Sequence, residues 1–176
     1  MNFKQLVIGS IFTLSAAFVS AETEIAVIDF QRVLFQSVAA QDATQALQPE
    51  ISAVKQRIGE IETRINALQN ALEIDAETLT EADLLAKQNE IQQLVNERAK
   101  TIQFGQQKQN NSRNEFVAAY QEQVQEVVAT LSKARGFNLV IDLSTVVYMD
   151  GMANITDDVL VAFDNQYNET RTVIEP

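Results

Sequence analysis

The sequence predicts an α+β protein that joins a small β body of three strands to a long antiparallel helical-hairpin arm. Between Leu47 and Leu72, apolar residues recur at alternating spacings of four and three, which is the seam pattern of a coiled coil. Three short runs rich in β-branched residues lie outside this region, one before it and two after it. Because three short strands cannot satisfy their own edges, we expect the body to self-associate.

Residues 1–21 have the pattern of a secretion signal. Lys4 precedes an apolar run from Leu6 to Phe18, and Val19-Ser20-Ala21 forms a small-residue cleavage site. The run is too short to span a membrane. We therefore expect cleavage near Ala21 and a mature, exported chain without stable membrane insertion; an uncleaved anchor is the alternative.

Residues 22–41 are predicted to begin the body. The run Glu24–Phe30 is rich in β-branched residues and predicts a buried strand. Residues 31–40 carry Val33, Leu34 and Val38 at helical spacing, which predicts a short helix.

Residues 42–115 are predicted to form the arm, with its tip near residues 73–80. The outgoing seam is Leu47, Ile51, Val54, Ile58, Ile61, Ile65, Leu68 and Leu72. The returning seam is Leu84, Gln88, Ile91, Val95, Arg98, Ile102 and Gly105. These sets pair so that residue numbers sum to 156, which predicts an antiparallel hairpin in that register.

The ends of the arm helices carry their own signals. Asp42 and Gln45 resemble a capping box that opens the arm, although Pro49 would then kink the helix or mark its true start. Thr80 is the predicted cap of the returning helix. Between Gly105 and Glu115 there is no apolar residue, so the seam is expected to open there, as a solvated helix or as a hinge.

Residues 116–176 are predicted to complete the body. Apolar spacing resumes at Phe116, and Arg135-Gly136 is a typical helix end. The runs 137–142 and 145–148 predict two strands. Thr156, followed by two Asp residues, predicts the start of a last helix.

Composition excludes several classes of function. The chain contains neither His nor Cys, the commonest metal ligands and proton-transfer groups, and its net charge of −11 repels nucleic acid and anionic lipid. Its acidic residues form no set of nucleophile, base and orienting group. We therefore expect no enzyme activity, no cofactor, no metal and no nucleic-acid partner.

The order of strand, helix, long hairpin, two strands and final helix behind a signal peptide resembles the Skp/OmpH family of periplasmic chaperones. The most specific matching residues are Ile25–Phe30 leading to Val33–Val38, and Leu139–Asp142 leading through Tyr148 to Ile155–Leu160. The resemblance covers nearly the whole mature chain.

This resemblance implies a periplasmic homotrimer whose pooled strands form a central body and whose three arms surround a cavity. Such a protein would be an ATP-independent holdase for unfolded outer-membrane or other exported proteins. The alternative is an exported structural coiled-coil tether that binds one folded partner. The best-known family members have basic arm ends, whereas residues 73–90 here contain six acidic residues and one basic residue, Lys87.

Two sets of residues are candidates for binding. Apolar residues that flank the seam could contact clients, or simply pack along the hairpin edge: Ile74, Leu79, Leu85, Leu94 and Phe104. Strand residues are candidates for the trimer interface: Ile25, Val27, Ile28, Leu139, Ile141 and Val147.

Overall fold

The computed structural model describes residues 24–75 and 77–174, so the predicted signal peptide lies outside the described residues. The elements are β1 (Ile25–Ile28), α1 (Phe30–Gln36), α2 (Val38–Ile74), α3 (Glu81–Arg135), β2 (Leu139–Asp142), β3 (Ala153–Asn154) and α4 (Thr156–Ile174). This is the predicted α+β fold: a small three-stranded sheet from which α2 and α3 extend as a long hairpin.

The sheet is parallel throughout, with β1 between β2 and β3. Ile25 lies opposite Leu139, and Ala26 lies opposite Ala153. The parallel connection from β1 to β2 needs a long crossover, which α1 and the whole hairpin supply. In the described chain β2 and β3 each pair only with β1, so each has an edge that no other strand covers.

The third strand lies at Ala153–Asn154, and the prediction of a strand at residues 145–148 is wrong. A single 3-10 turn (Leu143–Thr145) follows β2 directly. The Asp142 carboxylate accepts the Ser144 backbone N–H at 2.8 Å, and the Val146 N–H donates to the Leu143 carbonyl at 3.1 Å. These bonds turn the chain away from the sheet, and the β-branched run that follows stays outside it.

Helix α2 begins earlier than predicted, at Val38, and the predicted cap at Asp42 is wrong. Ser37 has extended backbone angles, and its hydroxyl accepts the Ala40 N–H at 3.2 Å, so Ser37 is the cap. Pro49 lies inside an unbroken helix, on an exposed position, so the arm does not start there. The returning helix begins after the predicted cap Thr80 and ends at Gly136, whose φ of 80° suits glycine.

The α2 side of the predicted seam is confirmed by burial. Ile51, Ile61 and Leu68 are buried, and the other five seam residues are half-buried. Four ion pairs cross the hairpin close to the predicted register. The residue numbers of the pairs Arg57–Glu97 and Arg64–Glu90 add up to slightly less than 156. Those of Glu62–Arg98 and Glu50–Lys108 add up to slightly more.

The α3 side of the seam is only partly as predicted. Leu94 and Lys87 are half-buried, whereas the predicted seam residues Val95 and Gln88 are exposed. Adjacent residues on a helix point about 100° apart, so either Leu94 or Val95, and either Lys87 or Gln88, can lie beside the seam. The heptad spacing of the sequence selected Val95 and not the larger Leu94.

Gly105 is a contact point between the arm helices. A Cβ atom there would lie 2.9 Å from Val54 Cγ1, closer than two carbons can pack. Glycine therefore allows the helices to approach closely, and the predicted opening of the seam can begin only beyond this position.

The core lies where β1, α1, α3 and α4 meet. Its fully buried side chains include Val27, Val33, Val124, Ile155 and Phe163. Helix α4 is joined to the other helices by the ion pairs Arg32–Asp157, Arg135–Asp158 and Arg171–Asp42. The arm is thus attached to a compact body that includes both ends of the described chain.

Candidate association and client-binding surfaces

Five large apolar side chains of the body, in β2 and in the segment between β2 and β3, are uncovered. Val147 is fully exposed and Tyr148 is 82% exposed, and Leu139, Met149 and Met152 are also exposed. We call these five residues the body edge. Soluble monomers rarely leave such a group uncovered, so the body edge indicates an interaction surface.

A groove of about 480 Å³ lies between β2 and the last turns of α3. Its apolar lining residues include Ile28, Phe30, Val128, Phe137 and Leu139. Ser132 also lines it; this residue is buried, and its Oγ has no hydrogen-bond partner. A buried hydroxyl without a partner costs free energy, and we call this cavity the body groove.

The predicted trimer residues occupy three different environments. Val27 and Ile28 are buried within the subunit's own core, and Ile25 and Ile141 are half-buried. Leu139 and Val147 are exposed. Tyr148 lies in the segment that the sequence predicted as an interface strand, whereas sequence reasoning did not single out Met149 and Met152.

The predicted client-binding residues are also divided between environments. Ile74, Leu85 and Phe104 are 81%, 57% and 53% exposed. Leu79 and Leu94 are half-buried, and Leu94 lies at the seam. Val95, which the sequence placed in the seam, is instead 44% exposed.

The flanks of the hairpin are charged, and much of the charge is paired. The Glu97 carboxylate accepts hydrogen bonds from Arg57 and raises the pKa of that guanidinium. A hydrogen bond to Glu50 likewise raises the pKa of Lys108. These pairs are solvent-exposed and contribute little stability. They nevertheless occupy basic side chains that would otherwise be available to bind an anionic ligand.

Helix α4 fixes the base of the arm. The Val38 N–H, at the start of α2, donates to Asp164 Oδ1 at 2.8 Å. Asp42 accepts hydrogen bonds from Tyr167 Oη at 3.1 Å and from Arg171 at 2.6 Å. Burial, followed by the bond to Asp42, raises the pKa of Tyr167, so its hydroxyl stays protonated and donating well into alkaline pH.

The described residues hold no group of three or more side chains arranged to bind a metal ion. None of the helices within residues 24–75 and 77–174 is both long enough and apolar enough to cross a membrane.

Residues 24–163 match the family described as Outer membrane protein (OmpH-like). The fold is similar to the crystal structure of a protein from Caulobacter crescentus CB15 that was assigned as an OmpH-like outer membrane chaperone, with a TM-score of 0.63. The two sequences are 17% identical, and the similarity covers 94% of this chain and 92% of the other. No curated protein matches the sequence.

Proposed function

We propose that this chain, which belongs to the OmpH-like family of outer membrane proteins, is an ATP-independent holdase chaperone. It binds unfolded outer-membrane or other exported proteins and prevents their aggregation. The predicted signal peptide supports a periplasmic location, and the similarity of fold to an assigned outer membrane chaperone supports the chaperone role.

The observation that carries this proposal is the dispersion of exposed apolar side chains along the arm. Ile74, Leu85, Val95 and Phe104 are exposed outside the packed seam and are separated along the chain. Each can bury a small apolar area against a client, and an unfolded chain can touch several at once. A tether for one folded partner would instead need a single contiguous patch.

The body supports a homotrimer in this proposal. Residues 22–41 and 116–176 form the association domain, and residues 42–115 form the arm. The body edge and the body groove share Leu139, and together they offer apolar surface that a neighbouring subunit can cover. A ring of three places three arms around a shared space.

An aggregation assay tests the proposed function. A denatured outer-membrane barrel protein is diluted into buffer without nucleotide, and light scattering is followed with and without a molar excess of mature chain. We expect scattering to be suppressed, because bound client segments cannot meet one another.

An equal mass of an unrelated coiled-coil protein serves as the control. If the mature chain suppresses scattering no better than this control, the holdase proposal is wrong. Capture of a single folded envelope protein under the same conditions would then favour the tether.

A further inference from the structure

The two arm helices leave a second groove at the root of the arm, immediately beyond Gly105. There α2 and α3 face each other with small and polar side chains, and a groove of about 470 Å³ remains between them. We call this the arm-root groove. It lies in the segment where the sequence predicts an open seam, and it is separate from the body groove.

Apolar side chains supply much of the lining. Phe116 and Tyr120 lie with ring centroids 5.0 Å apart, and both rings border the groove. The remaining apolar lining residues are Ala43, Ala46, Leu47 and Ala119. Because the alanines are small, no side chain of the described subunit fills the space.

The polar lining residues carry an excess of negative charge. Lys108 Nζ lies 2.8 Å from Glu50 Oε2, so this lysine is already paired. Glu115 also lines the groove, is exposed, and forms no ion pair with any residue that the structure describes. Lys108 also interacts electrostatically with Glu115, so two carboxylates share one lysine and the groove keeps a net negative charge.

An exposed aromatic residue lies next to the groove. The Phe104 ring centroid is 5.9 Å from Lys108 Nζ, and Phe104 is one helical turn towards the arm tip. Apolar surface on the arm thus continues towards the groove. A client can contact the exposed Phe104 ring on the surface and bury a neighbouring side chain in the groove.

We propose that the arm-root groove binds an apolar side chain of an unfolded client, with an aromatic one preferred, and that a neighbouring Lys or Arg of the client pairs with Glu115. This inference rests on the proposed holdase function. It states which side chains of an unfolded client the chaperone binds in preference to others. The occupant follows from the two features of the groove together: an unfilled apolar lining and a net negative charge beside it.

The test uses fluorescein-labelled heptapeptides and the mature chain, with binding measured by fluorescence anisotropy. The reference peptide has one Phe flanked by two Lys residues in a Gly and Ser background. Two comparison peptides replace the Phe by Ala or both Lys residues by Glu. We expect the reference peptide to bind most tightly and both replacements to weaken it.

Paired variants locate the binding. Ala119→Phe fills the groove and should weaken the reference peptide about tenfold, the loss expected for one apolar side chain that can no longer be buried. Ala118→Phe is the matched control, because Ala118 is exposed on the same helix and does not line the groove. Glu115→Gln should weaken the Lys-flanked peptide but not the Glu-flanked one, while Glu122→Gln, outside the groove, changes neither.

Two outcomes overturn the inference. Equal binding by the Ala119→Phe and Ala118→Phe variants, with unchanged circular dichroism, excludes the groove as the peptide site. A change in the sedimenting mass of the Ala119→Phe variant alone means that a second copy of the chain fills the groove.

The aggregation assay on the wild-type protein separates this inference from the proposed function. If scattering is suppressed but peptide binding does not depend on the groove, only the assignment of the groove as a binding site is refuted. Groove-dependent peptide binding without suppressed scattering refutes the holdase and leaves the groove as a peptide site.

Discussion

The body and the arm bury their apolar side chains to very different extents. In the body, Phe163, Ile155 and Val159 are completely buried between several elements. In the arm, only three of the eight α2 seam residues are buried, and the others keep part of their surface in water. In a pair of helices, each helix buries only one face against the other and exposes the rest to water. A two-helix arm is therefore only marginally stable and has a large exposed surface.

This difference predicts that core truncation has the largest effect on stability. Phe163→Ala should lower the free energy of unfolding of the whole body by about 3–5 kcal/mol, because it removes a large side chain from a site with 0% exposure. Ile61→Ala removes a seam residue that is 1% exposed, and its effect should be confined to the arm.

Urea denaturation combined with amide hydrogen exchange checks both variants. Faster exchange throughout the core in the Phe163→Ala variant, but only within residues 42–115 in the Ile61→Ala variant, is the expected pattern. Equal loss of protection in β1 and α4 from both variants would show that body and arm unfold as one unit.

The two glycines of the arm should respond oppositely to alanine. A Cβ at Gly59 meets nothing within 4 Å, so Gly59→Ala should stabilise α2 by about 1 kcal/mol through helix propensity. A Cβ at Gly105 would lie 2.9 Å from Val54, so Gly105→Ala should destabilise the hairpin despite the same propensity gain.

Thermal unfolding followed by circular dichroism measures both changes, each glycine serving as the control for the other. Stabilisation by both substitutions would mean that the helices do not approach closely at Gly105.

A smaller effect is expected where α4 meets the end of α3. A hydrogen bond from Arg135 lowers the pKa of Asp158 below its usual value of 3.8. The ionised carboxylate therefore stabilises the fold above that value, and the contribution disappears as the pH falls through the lowered pKa of the folded state. Asp158→Asn should reduce stability slightly at pH 7 and not at all once Asp158 is protonated.

The control for this pH dependence is Asp150→Asn, which removes the same charge from a residue that forms no ion pair in the described chain. Denaturant unfolding of both variants between pH 2 and pH 7 measures the difference. A constant difference between the Asp158→Asn variant and wild type at every pH would contradict the assigned ion pair.

The features that depend on local sequence patterns were predicted well. The α2 stripe, the Thr80 cap and the Gly136 helix end depend on local patterns, and all three are confirmed. The start of α2 was misplaced because Ser37 and Asp42 are both good caps, and only the packing of α1 and α4 selects Ser37.

The third strand and the grooves could not be predicted in the same way. Residues 145–148 have high strand propensity, but the turn after Asp142 carries them away from the sheet. The two grooves depend on the spacing between elements distant in sequence, and the unpaired Ser132 hydroxyl and Glu115 give no periodic signal. The assignment of the exposed residues to trimer and client contacts stays a prediction.

In the proposed function, exposed apolar residues of the body hold subunits together while those of the arm hold clients. Sedimentation velocity of two variants, each alone and with a fluorescent unfolded barrel protein, tests this division directly. We expect replacement of Ile74, Leu85 and Phe104 by Ser to preserve the trimer mass but abolish co-sedimentation of the client. Replacement of Val147 and Tyr148 by Ser should dissociate the trimer. A wild-type protein that sediments as a monomer, or an arm variant that binds the client as wild type does, would contradict the account.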